Sequence, residues 1–465
     1  MLAVIYLIIA TLLGNLLCRR FFHFDFVPHR LAANFLIGLF FSTWATYLFA
    51  LAFLWTENPL LWGNLLFFFG SSLVLFWFYK RGSFNLSDIL HLQNHNTDKS
   101  DWIFTAAVFV FSCWLMFGMF GLSGGNLKID SILWNDFGPN LSLVQSFAVG
   151  RNFPTEYPHY IGEPIRYHFL YWFQAGNLTF LGLNIDWSLN VLSVLTWTAT
   201  LILIAALGQA AFNSKAVGRI AAILFFFHGT LSYIPFLLSA NSPSAAFNAV
   251  VNLKEWVKSP FSYAGEQSGV WALGTFLAQR HLPMAIGIFL IVLIFLIKQI
   301  REKSDVAENN QTPISQSDTE TESVENETEN RDEVVLKTSD SSTFPAQESE
   351  RKHFNRVFGA YIFCGLLLGL LPLWNSAVYV SAVAVVSGLL ILFPNRLYTL
   401  YLLIVSAIVA IPQILFLKAG ESKSIGELFH WGYAVEPSTL ENVLKYFSFT
   451  FGAKTLLALF AVAIL

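Results

Sequence analysis

The residue types that could do chemistry crowd into one stretch, Asp130 to His168. Asp136 stands near the start of a segment, Trp134 to Val149, in which Leu141, Val144, Phe147 and Ala148 recur at helical spacing. A carboxylate in such a place can act as a general base if partial desolvation tunes it. As a plain first-turn residue it would be favoured by the helix macrodipole alone. Gly150 is expected to end that helix in a left-handed conformation. Pro154, Pro158, Gly162 and Pro164 then lay down an extended, turn-rich chain carrying Glu156, Tyr157, His159, Glu163, Arg166, Tyr167 and His168. An amphipathic helix followed by such a loop makes a wall for a substrate cleft. His159 and His168 could hold a metal with Glu156 or Glu163, but their Pro-interrupted spacing matches no known ligand pattern. Surface hydrogen bonding is therefore the expectation, and no metal site is assigned.

A second group, Gln279-Arg280-His281, directly precedes the apolar run 282–300. A guanidinium at the mouth of a membrane span can make two hydrogen bonds to a phosphate at once. Arg280 and His281 read equally well as headgroup anchors at the interface.

The elements that must position these residues are membrane helices. Of 465 residues, 55% are hydrophobic and only 12% charged, with 47 Phe and 14 Trp, more aromatic surface than one soluble core could hide. Residues 31–55, 188–211 and 282–297 carry no charge and match the length that crosses a bilayer. A soluble enzyme is excluded. So is a secreted disulfide scaffold, because Cys18, Cys113 and Cys364 all lie in or beside apolar runs. The net charge of −3 hides an asymmetry: residues 301–356 hold 14 of the 30 acidic and 7 of the 27 basic groups, leaving the rest at +4.

Apolar runs predict eleven spans, near 1–17, 31–55, 60–79, 102–122, 188–211, 217–238, 282–300, 357–373, 374–393, 397–417 and 447–465. They group as N-terminal membrane helices (1–101), a core (102–300) with external loops 123–187 and 239–281, a disordered acidic cytoplasmic loop (301–356) and C-terminal membrane helices (357–465). The first run lacks a preceding basic residue and is followed by Arg19 and Arg20, so it reads as a true span with its start outside. The apolar run 167–183 is not counted. If it crossed, Lys215 and Arg219 would be external, whereas a helix lying in the outer interface, or dipping in and out, leaves them cytoplasmic with Lys298, Arg301, Arg351, Arg356 and Arg396.

With the chemistry and topology together, the chain resembles the GT-C glycosyltransferase superfamily, in particular RgtA/B/C/D-like bacterial membrane proteins. The resemblance rests on Asp136 in the first large external loop, the Gly150-to-Pro154 step, the Pro158/Gly162/Pro164 run and Tyr167-His168, with looser echoes at Leu277 to His281 and Gly365 to Ser376. It covers residues 102–300 well and 357–465 loosely. It implies an all-α GT-C-like bundle and transfer of a sugar from a polyprenyl-phosphate donor to a glycan, lipid or protein acceptor on the outer face. Asp136 would be the base, and Arg280 with His281 would stabilise the leaving phosphate. Gln279, Glu156, His159, Tyr167 and His168 would shape the cleft. Many members carry a paired Asp-x-Asp, whereas here Asn135 precedes Asp136 and the nearest other carboxylate is Asp130. A divalent metal stays an open alternative, and no other cofactor and no nucleic-acid partner is expected. The rival readings are a non-catalytic transporter and a lipid-linked glycan-binding protein. Against the transporter, the spans contain Asn15, Asn34, Asn64 and His228 but essentially no charge.

Overall fold

A computed structural model describes residues 1–82, 97–130, 133–227, 233–252, 271–309, 344–419 and 437–451. Four helices come first: α1 (Leu2–Phe21), α2 (Val27–Ala52), α3 (Pro59–Lys80) and α4 (Lys99–Met119). Hairpin β1 (Phe120–Ser123) and β2 (Asn126–Ile129), helix α5 (Trp134–Ala148) and hairpin β3 (Glu156–Tyr157) and β4 (Tyr160–Pro164) follow. Then come α6 (Leu170–Phe180), α7 (Ile185–Phe212), α8 (Lys215–Phe226), α9 (Tyr233–Leu238), α10 (Pro243–Val251), α11 (Trp271–Ala278) and α12 (Leu282–Asn309). The last four are α13 (Phe344–Gly369), α14 (Pro372–Leu392), α15 (Arg396–Lys418) and α16 (Leu440–Phe451).

Eight of these helices are long and apolar enough to cross a membrane: α1 to α4, α7, α12 over Leu282–Glu302, α14 and α15. The chain is a polytopic helical membrane protein. Three of the eleven expected spans do not reach that standard among the described residues. Over 217–238 the helix Lys215–Phe226 rises only ~18 Å before residues 228–232, which lie outside the described set, and α9. Over 357–373 the apolar helix is short, Arg356–Gly369. The expected span 447–465 falls largely outside the described residues, as does most of the acidic segment.

The architecture is not purely α. The two hairpins, each a two-stranded antiparallel sheet, stand between α4 and α6. Gly124 and Gly125, at φ 61° and 80°, make the turn that lets Ser123 pair with Asn126.

α7 is the central helix, packed against α2, α4, α6, α8 and α12. Helices without a hydrophobic drive to associate in lipid meet where small residues let backbones touch. α1 and α2 cross on Gly14 and Gly38: a Cβ on Gly14 would stand 1.9 Å from the Asn34 carbonyl oxygen, and one on Gly38 1.9 Å from that of Ala10. Asn34 donates to Asn15 across the same crossing, at 3.0 Å. α13 meets α15 similarly through Gly365 and Gly369.

The two ends of the bundle differ. At one, the charged end, Lys215 reaches Asp98 at 2.9 Å and Asp101 at 2.8 Å, Arg219 reaches Asp101 at 2.6 Å, and Lys298 reaches Asp25 at 2.6 Å. At the other, the hairpin end, the C-terminus of α4 meets the N-termini of α7 and α12. The 167–183 segment, left out of the spans by its charge context, contains α6, whose residues Leu170 to Leu178 are all buried. Gln174 accepts from Thr43 at 3.0 Å and from Tyr6 at 3.4 Å, and Asn64 donates to Asn177 at 2.7 Å. α6 is therefore held inside the bundle against α1, α2 and α3, deeper than an interface helix.

Candidate functional site

α5 forms where the helical spacing predicts it, Trp134 to Ala148. Its end differs from expectation. The left-handed residue is Arg151, at φ 51°, and not Gly150. Gly150 is needed for space instead, since a Cβ there would lie 2.7 Å from the Ser146 carbonyl oxygen. The buried Phe137, Leu143, Val144 and Phe147 seat the helix, and Phe147 packs edge-on to Phe173 of α6 at 5.2 Å between centroids. This leaves Asp136, on the first turn, exposed.

The next residue, Phe137, lies over Arg280, with its ring centroid 4.9 Å from the guanidinium carbon; Phe120 adds a second ring at 5.8 Å. Arg280 itself is completely buried. Its Nη1 donates to Asn190 Oδ1 at 2.6 Å and its Nη2 to the Met116 carbonyl at 3.4 Å, while its Nε finds no acceptor among the described residues. No carboxylate pairs with it among those residues. Burial pushes the guanidinium down to about 10, yet it remains a cation near neutrality. Arg280 was expected at an open headgroup mouth. It is instead enclosed, so Asp136 and Arg280 do not open together onto solvent in this conformation.

His281 follows Arg280 and is buried; its Nε2 stands 2.7 Å from His168 Nε2, so one ring must donate and the other accept. Burial holds His168 down at about 4 and His281 well below the usual histidine range, with the neighbouring His168 adding to the second effect. Both are neutral at neutral pH. The Tyr167 ring lies against His168, 3.6 Å between centroids. Tyr167 is pushed up to about 12, by burial first and then by the Asp136 and Tyr157 charges. Asp136, Tyr167, His168, His281, Arg280 and Phe137 thus form a contiguous patch at the hairpin end.

The remaining expected residues sit beside this patch. Glu156, half-buried, accepts from the Gly162 amide at 2.9 Å and braces the β3–β4 hairpin. His159 is exposed and shares a 3.1 Å hydrogen bond with Ser142 of α5. Gln279 is exposed. Arg166 donates to the Phe416 carbonyl at 2.5 Å, tying the hairpin to α15. Among the described residues no cluster of three or more His, Cys, Asp or Glu side chains could hold a metal.

Two residues on α7 were not expected. Asn190 holds Arg280 and also donates to the Phe120 carbonyl at 2.7 Å. Asp186, one turn earlier and buried, accepts from the Leu122 amide at 3.1 Å while its Oδ1 finds no donor among the described residues. The signal was present: polar side chains four apart on one face, at the start of a span. The fold shown here is that of a multi-pass helical membrane protein, and no family model, curated protein or solved structure matches the chain.

Proposed function

We propose that the protein moves a sugar from a polyprenyl-phosphate donor to a hydroxyl acceptor at the hairpin end of the bundle. The observation that supports this most is the contiguity of the patch: an exposed carboxylate at Asp136 and a permanent cation at Arg280 are joined through Phe137 on one side and Tyr167, His168 and His281 on the other. In the proposed step, Asp136 takes the proton of the acceptor hydroxyl as its oxygen attacks the anomeric carbon. The bond from that carbon to the phosphate oxygen breaks, and the electron pair leaves on the polyprenyl phosphate, with inversion at carbon. Arg280 stabilises the departing phosphate. For this, the Phe137 ring must turn aside, because the guanidinium is enclosed. The Lys and Arg residues of the charged end would face the cytoplasm, leaving the patch on the outer face.

A second reading is favoured by the same enclosure. A guanidinium engaged by Asn190 and Met116 and roofed by two rings suits a protein that binds a lipid-linked glycan without transferring it.

Membranes carrying the wild type or Asp136→Asn, given a panel of polyprenyl-phosphate sugars, separate the two. Transfer that drops at least a hundredfold in the variant, in line with loss of a general base, supports catalysis. Equal product from both eliminates Asp136 as the base, and retention of the donor with no product by either protein favours binding alone.

A further inference from the structure

A cavity of about 770 Å³ lies between α1, α2 and α3, toward the charged end and away from the histidine pair. Its walls are apolar, with Leu17, Phe41, Phe49, Phe67 and Phe78 among them. Small residues widen it: Ser42 from α2, Gly70 and Ser71 from α3. Ser42 is buried, and its hydroxyl has no hydrogen-bond partner among the described residues. Arg19 and Arg20, both exposed at the end of α1, line the rim.

The dimensions fit one leaflet. From Phe67 to Phe78, α3 advances ~16 Å at the helical rise of 1.5 Å per residue, about half of a ~30 Å hydrocarbon core. The slot thus starts near mid-bilayer and ends where headgroups lie, and the two guanidiniums stand at that level. Exposed Val74 and Leu73 on the same face of the chain show that the surroundings are lipid-facing.

We infer that this slot holds one acyl chain of an anionic phospholipid, whose headgroup is bound by Arg19 and Arg20. The apolar walls exclude a polar solute, and the paired cations favour a net negative headgroup over a zwitterionic one, since a guanidinium binds phosphate through two parallel donors. The site is separate from the proposed transfer chemistry and stands whether or not that chemistry occurs.

Gly70 provides a clean test, because a Cβ placed there meets nothing within 4 Å. Gly70→Leu fills the slot without forcing the backbone, and Val74→Trp narrows it from the same helix. Gly388→Leu, on α14, is the control; its position is equally open. The full-length protein, purified in detergent and exchanged into micelles containing phosphatidylglycerol or phosphatidylcholine, is examined by native mass spectrometry for retained lipid. The wild type and Gly388→Leu are expected to keep one phosphatidylglycerol in preference to phosphatidylcholine. Gly70→Leu and Val74→Trp should lose both lipids while eluting and melting like the wild type. Arg19→Gln and Arg20→Gln should each weaken phosphatidylglycerol retention about fivefold, the attraction of one basic side chain to an anionic lipid, and leave phosphatidylcholine unchanged. Undiminished lipid in both slot-filling variants, or equal retention of the two headgroups by the wild type, overturns the inference.

Discussion

Asn190 accepts the Nη1 proton of Arg280 at 2.6 Å, and this bond, more than any ion pair, holds the buried guanidinium in place. A charge taken out of water is costly unless its donors are met. Here one amide oxygen, one backbone carbonyl and two aromatic rings meet part of that need.

Asn190→Ala should therefore destabilise the protein by ~2 kcal/mol, the usual loss when a charged group gives up a hydrogen bond. Asn190→Asp, which keeps an acceptor for the same nitrogen but loses the amide that donates to the Phe120 carbonyl, should fall between Asn190→Ala and the wild type. Thermal unfolding of the three proteins in one detergent measures this. An Asn190→Ala protein as stable as the wild type would show that Arg280 is held by something else.

The histidine pair makes stability depend on pH. Folded His168 titrates at about 4, against 6.5 for an exposed histidine, and His281 is lowered too. Above pH 6.5 neither state is protonated at these rings, and their contribution is fully present. Between 6.5 and about 4 the unfolded chain takes up protons that the folded chain refuses, so stability falls as pH drops through that window. Each unit of lowering corresponds to ~1.4 kcal/mol. The melting temperature should decline from pH 6.5 to 4.5, and the double variant His168→Gln, His281→Gln should flatten the decline. Parallel curves for the two proteins would place the titrating groups elsewhere.

Glycine has opposite meanings at two sites in the first three helices. Gly38→Ala puts a methyl 1.9 Å from the Ala10 carbonyl oxygen and must push α1 off α2. It should cost at least ~3 kcal/mol, the range of severe overpacking. Gly70→Ala meets nothing and should be neutral or stabilising by up to ~1 kcal/mol through helix propensity. Yield of folded protein and melting temperature for the pair test the contrast, and similar behaviour by both would contradict the α1–α2 crossing described here.

Much of the bundle was legible because charge-free runs of bilayer length have one economical fate, as in 31–55, 188–211 and 282–297. The α5 helix was legible from its apolar spacing. The β1–β2 hairpin was not, because Phe120 and Gly121 extend the apolar run of α4 and four-residue strands carry little periodicity. The candidate residues were legible as types and not in their geometry. Residue types named Asp136, Arg280, His168 and His281, but the burial of Arg280 is decided by Phe137, Asn190 and Met116, which only the folded chain brings to it.

The seating of α6 bears on the order in which the chain can be assembled. Gln174 and Asn177 find Thr43, Tyr6 and Asn64, all of which leave the ribosome earlier. A shortened chain starting at Lys99 would present those two amides to hydrocarbon with no receptor waiting. The first eighty residues thus carry the hydrogen-bond partners of a later helix, and supplying them as a separate polypeptide should restore what their deletion removes.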